Sequence, residues 1–176
     1  DFDYILDQLS KSESRGWDYS ISIDISPAAG DSPKSPAWLF TAPYNVPLVT
    51  TTAGVYPYYF DATFKERYFN MLDALRNYIA TLNSSYKEKF KYWLSTEGKT
   101  GDTGPYAGNI TSVTIDGIEV DPGDLNDYFI SDDDWQTYKR TEVWPLGYAN
   151  LAADLPLTRY AINAGNDYAD FQWGLD

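Results

Sequence analysis

The stretch from Asp61 to Leu82, DATFKERYFNMLDALRNYIATL, restricts the possible folds more than any other part of this chain. Its apolar side chains fall at Phe64, Tyr68, Leu72, Leu75, Ile79 and Leu82, three or four residues apart, with Lys65, Arg67, Asp73, Arg76 and Asn77 between them. At 3.6 residues per turn this spacing lines up one apolar stripe and leaves the other side wet, so it predicts an amphipathic helix over 61–82 with one buried face. Thr63 and Glu66 have the spacing of a reciprocal cap at its start. The rest of the chain reads mainly as strands and loops that need this helix to close their core.

WDYSISIDIS (17–26) alternates cleanly, with Trp17, Tyr19, Ile21, Ile23 and Ile25 on one side and polar residues on the other, and predicts a half-buried strand. Residues 27–54 carry Pro27, Pro33, Pro36, Pro43 and Pro47, which forbid interior pairing, so an extended Pro-rich surface loop is expected, with WLF (38–40) and VPLVTTT (46–52) as short edge strands. VYPYYF (55–60) is a strand that feeds the helix. Residues 1–14 suggest a short helix with Tyr4, Ile5 and Leu9 inward, and Ser85/Glu88 open a second helix over 85–96. In SVTIDGIEV, Asp116-Gly117 is a two-residue hairpin turn that pairs Val113 with Val120 and Ile115 with Ile118. An acidic loop over 116–134 follows, then a strand over QTYKRTEVW (136–144) and a last strand in YADFQWGL (168–175). With 176 residues, no internal repeat and no linker, one domain over 1–176 is expected.

Composition excludes whole classes of chemistry. The absence of Cys and His removes disulfides, thiol nucleophiles, His-based relays and the usual zinc ligands. A formal charge of −13 repels nucleic acid and anionic membrane, and no apolar run approaches a membrane span. EGKTGDTG (97–104) contains GKT, but the glycine that a phosphate-binding loop needs five residues before Gly98 is Trp93. Asp121, Asp124, Asp132 and Asp134 are the oxygen ligands a calcium loop could draw on, yet their spacing does not fit the twelve-residue pattern, and a solvated acidic loop is the plainer reading. Ser84 and Lys87 match S-x-x-K, which a helix junction explains as well. No catalytic constellation, metal or cofactor is therefore expected.

Aromatics make up 17% of the residues, with 16 Tyr, which suits strands and contact surfaces. Tyr44, Tyr56, Tyr58 and Tyr106 lie in Pro/Gly-rich surroundings and are the expected interface residues.

The order of elements resembles one family. A polar alternating strand and a Pro-rich loop precede VYPYYF, which runs into FKERYFNMLDALRNYI. A hairpin follows, then YKRTEVWPLGYANLAADL and the aromatic end YADFQWGLD. This is similar to the tail-tube and tail-completion (terminator) proteins of contractile-tailed bacteriophages, with Trp144-Pro145 and Phe171/Trp173 in the places of their late motifs. The resemblance implies an α+β fold: an antiparallel β-sandwich or barrel with helix 61–82, and the short helix 85–96, packed on it. It implies a structural virion protein, not an enzyme. Copies of the chain would form a ring, expected to be hexameric, against neighbouring tail proteins, through which DNA passes without specific binding. The alternative is an extracellular carbohydrate-binding module that grips a glycan with exposed Tyr and Trp. A DNA-mimicking decoy would need carboxylates spread along one face, whereas here they cluster in one loop.

Overall fold

The computed structural model describes residues 2–24, 33–96, 98, 104–146 and 159–161. Its longest described helix is the expected one, α2 (Ala62–Ala80), and the residues it buries are Phe64, Tyr68, Leu72, Leu75 and Ile79, the stripe read from spacing. The cap differs from expectation. Asp61, not Thr63, starts the helix: its backbone is extended and its Oδ1 accepts the Phe64 N–H at 2.9 Å. Thr63 is already inside the first turn. An aspartate there satisfies an orphan N–H and also places negative charge at the positive end of the helix dipole. Asp61→Ala is expected to cost about 1 kcal/mol of unfolding free energy. An unchanged urea midpoint would show that the cap contributes nothing.

Two further helices flank it. α1 (Asp3–Arg15) closes on Gly16 at φ +70°. It buries Leu9 and Ser12, while Tyr4, expected inward, is 71% exposed. One residue turns a helix by about 100°, so a face built on Ile5, Leu9 and Ser12 cannot also hold Tyr4. Phe2, just before α1, packs on Tyr78 near the end of α2 with ring centroids 5.2 Å apart. The second helix, α3, spans only Ser84–Lys89, not 85–96, and Asn83 rather than Ser85 precedes it. At Phe90 the chain becomes β4 (Phe90–Thr96). Four-residue spacing over so short a run does not separate a helix from a strand, and pairing with a distant strand decides the matter.

That distant strand is β1 (Tyr19–Asp24), which runs parallel to β4; β4 in turn pairs parallel with β7 (Arg159–Ala161). Parallel partners need a long crossover, and here it contains the whole segment from 25 to 89, α2 included. Tyr19, Ile21 and Ile23 pack against the core as the alternation predicts. Trp17, expected on the same face, is exposed under the Arg15 guanidinium, because it lies ahead of the strand where alternation no longer applies.

The second sheet is antiparallel, ordered β3-β2-β5-β6, from β2 (Leu48–Thr51), β3 (Val55–Pro57), β5 (Ile110–Ile115) and β6 (Ile118–Glu119). The hairpin is as expected: Ile115 faces Ile118, and the Val120 N–H reaches the Val113 carbonyl at 2.9 Å. Asp116 and Gly117 both take positive φ, 49° and 77°, the turn that matches strand twist. Two expectations in the Pro-rich stretch are corrected. WLF belongs to a 3-10 turn (Ala37–Phe40) that starts behind Pro36, and β2 is an inner strand rather than an edge.

The predicted strand 136–144 is also corrected. It lies in a helix, α4 (Asp132–Tyr138), which widens into a π-turn over Lys139–Val143 and runs on to residue 146. Ser131 caps it: its Oγ accepts the Asp134 N–H at 3.0 Å and donates to Asp134 Oδ2 at 2.6 Å. The expected acidic loop over 116–134 is also corrected in its middle, where Pro122–Tyr128 forms a 3-10 turn. The fold is thus a mixture of helix and sheet. The described residues form two small sheets, one of them parallel, and no closed barrel. The expected strand at 168–175, with Phe171 and Trp173, lies outside the described residues. Leu9 of α1, Val49 of β2, the α2 stripe, Val113 of β5 and Trp135 of α4 belong to one buried cluster.

Candidate functional site

The aromatics chosen from sequence divide into two groups. Tyr56 and Tyr106 are corrected from surface contacts to core. Tyr56, paired with Val49 across the sheet, is 1% exposed, and its Oη accepts the Ala107 N–H at 3.2 Å. Gly54 makes room for that ring, since a Cβ there would sit 3.2 Å from the Tyr56 hydroxyl. Tyr106 packs 5.5 Å from Tyr56 and stacks on Tyr59 at 5.8 Å, with Tyr59 in turn 5.0 Å from Trp135. A Pro/Gly-rich neighbourhood marks an irregular backbone, and irregular backbone can cover a core as well as leave it. Tyr44 and Tyr58 keep part of their surface. Tyr44 sits edge-on to Trp38 at 5.0 Å with the Arg67 guanidinium 4.9 Å above it. Tyr58 meets Tyr128 at 5.3 Å and donates its hydroxyl to the Asp127 carbonyl at 3.3 Å.

Burial pushes the Tyr106 hydroxyl well above the ordinary tyrosine value of 10.0, and the nearby Tyr58 adds to this. Above pH 10 the unfolded chain loses this proton before the folded one does. The unfolded state then binds fewer protons, so stability contributed below the unfolded value is lost as pH rises toward the folded one, at about 1.4 kcal/mol per pH unit. Tyr106→Phe is expected to flatten the fall in stability above pH 10 while leaving neutral stability within about 1 kcal/mol. Parallel urea titrations at alkaline pH check this, and identical slopes for both proteins would refute it.

The acidic residues considered as ligands have structural duties. Asp121 Oδ1 accepts the Gly123 N–H at 2.7 Å, and Asp134 is tied to Ser131. Asp124 and Asp132 lie in the first turns of the 3-10 segment and of α4, where negative charge is favoured. Among the described residues no three acidic side chains converge as a metal site.

Two concave surfaces stand out. A cleft of about 550 Å³ opens between the 105–110 segment and the 122–132 segment, bordered by Asn109, Ile110, Leu125, Asn126, Phe129 and Asp132. An apolar groove of about 140 Å³ lies between the 34–39 segment and α2, with Leu39, Phe64, Tyr68 and Met71 forming its walls and Lys34 and Arg67 also lining it. Sequence reading missed Phe129 and Trp38, 67% and 49% exposed, as surface aromatics. The available signal for Phe129 was an aromatic side chain in a run of acids. Fully buried Lys139, its ammonium 4.9 Å from the Trp144 ring centroid, was hidden by the strand assignment. No described helix is long and apolar enough to cross a membrane. No protein-family model, curated protein or solved structure matches the chain.

Proposed function

We propose that this chain is a structural virion protein: a subunit that self-associates into a ring of a phage tail, in the tube or its terminator layer, with neighbouring tail proteins above and below. The observation that carries the reading is the edge of β1. Among the described residues β1 stands at the end of its sheet, in the order β1-β4-β7. Such an edge is a template for a strand from another chain. In this reading the antiparallel sandwich or barrel expected from sequence is built between subunits, as sheets join edge to edge. The net charge of −13 supports a lumen that lets DNA phosphates pass without holding them. Electron microscopy of the concentrated protein, with sedimentation velocity on the same sample, tests this. Six-fold rings or tubes are expected, and a strictly monomeric protein would count against it.

One observation favours a second reading, the extracellular carbohydrate-binding module. The 550 Å³ cleft offers amides at Asn109 and Asn126, a carboxylate at Asp132 and the ring of Phe129, a mixture of polar groups and aromatic face that suits a sugar. The platform would then be Phe129 rather than Tyr or Trp. A glycan array with the purified protein tests it, and no retained glycan would end it.

A further inference from the structure

We propose that copies of this chain join head to tail by seating Phe129 of one copy in the apolar groove beside α2 of the next. The inference rests on the self-assembly reading above and names its contact. Phe129 is a presented side chain. It is 67% exposed, yet its own N–H bonds the Asn126 carbonyl at 3.2 Å and the next residue, Ile130, is buried. A knob held on both sides loses little freedom when it docks. Asp127 precedes it, and Asp132, Asp133 and Asp134 follow at the start of α4.

The groove has the complementary character. Its volume is about 140 Å³, close to the roughly 150 Å³ apolar cavity that accepts a benzene ring. Leu39, Phe64, Tyr68 and Met71 line it, and methionine adapts well to an incoming aromatic. Lys34 and Arg67 line it as well, in a chain with 26 acids and 13 bases. Arg67 is held in place over Tyr44 and 3.5 Å from Glu66, and among the described residues its Nε has no hydrogen-bond partner. An aromatic knob among carboxylates therefore matches an apolar groove that carries two cations, and the pairing selects against docking in the wrong sense. Because knob and groove are different surfaces, the contact is heterologous, and repeating it closes a ring or grows a filament.

The test uses the full chain in sedimentation velocity up to about 1 mM, where weak contacts are still populated. Circular dichroism confirms that each variant is folded. Wild type is expected to associate, and Phe129→Ser and Arg67→Glu to weaken this by roughly tenfold or more. Mixed one to one, Phe129→Ser (groove intact) and Arg67→Glu (knob intact) are expected to stop at a heterodimer, since only one productive contact remains. If wild type and Phe129→Ser associate equally, the contact is wrong although the ring reading stands. A wild-type chain that stays monomeric overturns both. Lost glycan binding in Phe129→Ser, without any change in association, assigns the residue to the cleft instead and overturns the contact.

Discussion

Replacing Trp135 by alanine is expected to cost about 3–5 kcal/mol of unfolding free energy, the range for emptying a large buried aromatic site. Trp135 is fully buried, with Tyr59 at 5.0 Å and Tyr138 at 5.6 Å between ring centroids. Backbone closes on it as well. A Cβ built on Gly98 would lie 2.7 Å from the indole Cζ2 and 2.4 Å from the Gly104 carbonyl oxygen. The indole thus packs α4 against Gly98, just past β4. Domains of this kind are stable by only about 5–15 kcal/mol, so the loss is a large share of the total. Among the described residues the Trp135 Nε1 has no hydrogen-bond partner, so Trp135→Phe is expected to retain most of the stability. Urea denaturation of both variants is the check. A loss below about 1 kcal/mol for the alanine variant would mean the indole is not packed as described.

Leu72→Ala should be nearly as damaging, at about 2–5 kcal/mol. Leu72 sits at the centre of the α2 stripe, with Tyr68 and Leu75 as its buried neighbours on the same face. Alanine favours a helix at least as well as leucine, so no part of the loss can be assigned to helix propensity. The companion measurement is Asn70→Ala on the exposed side of the same helix, expected within about 0.5 kcal/mol of wild type. Equal denaturation midpoints for the two variants would contradict the assignment of the buried face.

The contrast between α2 and α4 explains which elements can be read from sequence. In α2 the apolar residues repeat over five turns, and no strand accommodates such a run. In α4 the strand expected over 136–144 starts downstream of the Ser131-Asp134 cap that begins the helix. The π-turn then shifts the phase by a residue, so Lys139, Val143 and Trp144 are all buried and a simple helical period is blurred. β4 failed for a different reason. Its local pattern continues a helix, and only the parallel alignment with β1 and β7 holds it extended. The candidate contacts divide in the same way. Exposure of Tyr44, Tyr56, Tyr58 and Tyr106 depends on what the rest of the chain lays over them, and for Tyr56 and Tyr106 it lays down the core.

Local order along the chain therefore follows from residue types and their spacing. The α2 stripe, the β1 alternation and the Asp116-Gly117 turn each carry their information within a few residues, as steric preference and periodic burial. The absence of Cys and His likewise rules out thiol and imidazole chemistry before any fold is known. The division into a parallel and an antiparallel sheet, the conversion of 90–96 into a strand, and the cation-flanked groove beside α2 depend on contacts between distant residues. Those contacts form only when β1, α2 and α4 meet, because burial and hydrogen-bond pairing between distant segments outweigh the small differences in local propensity.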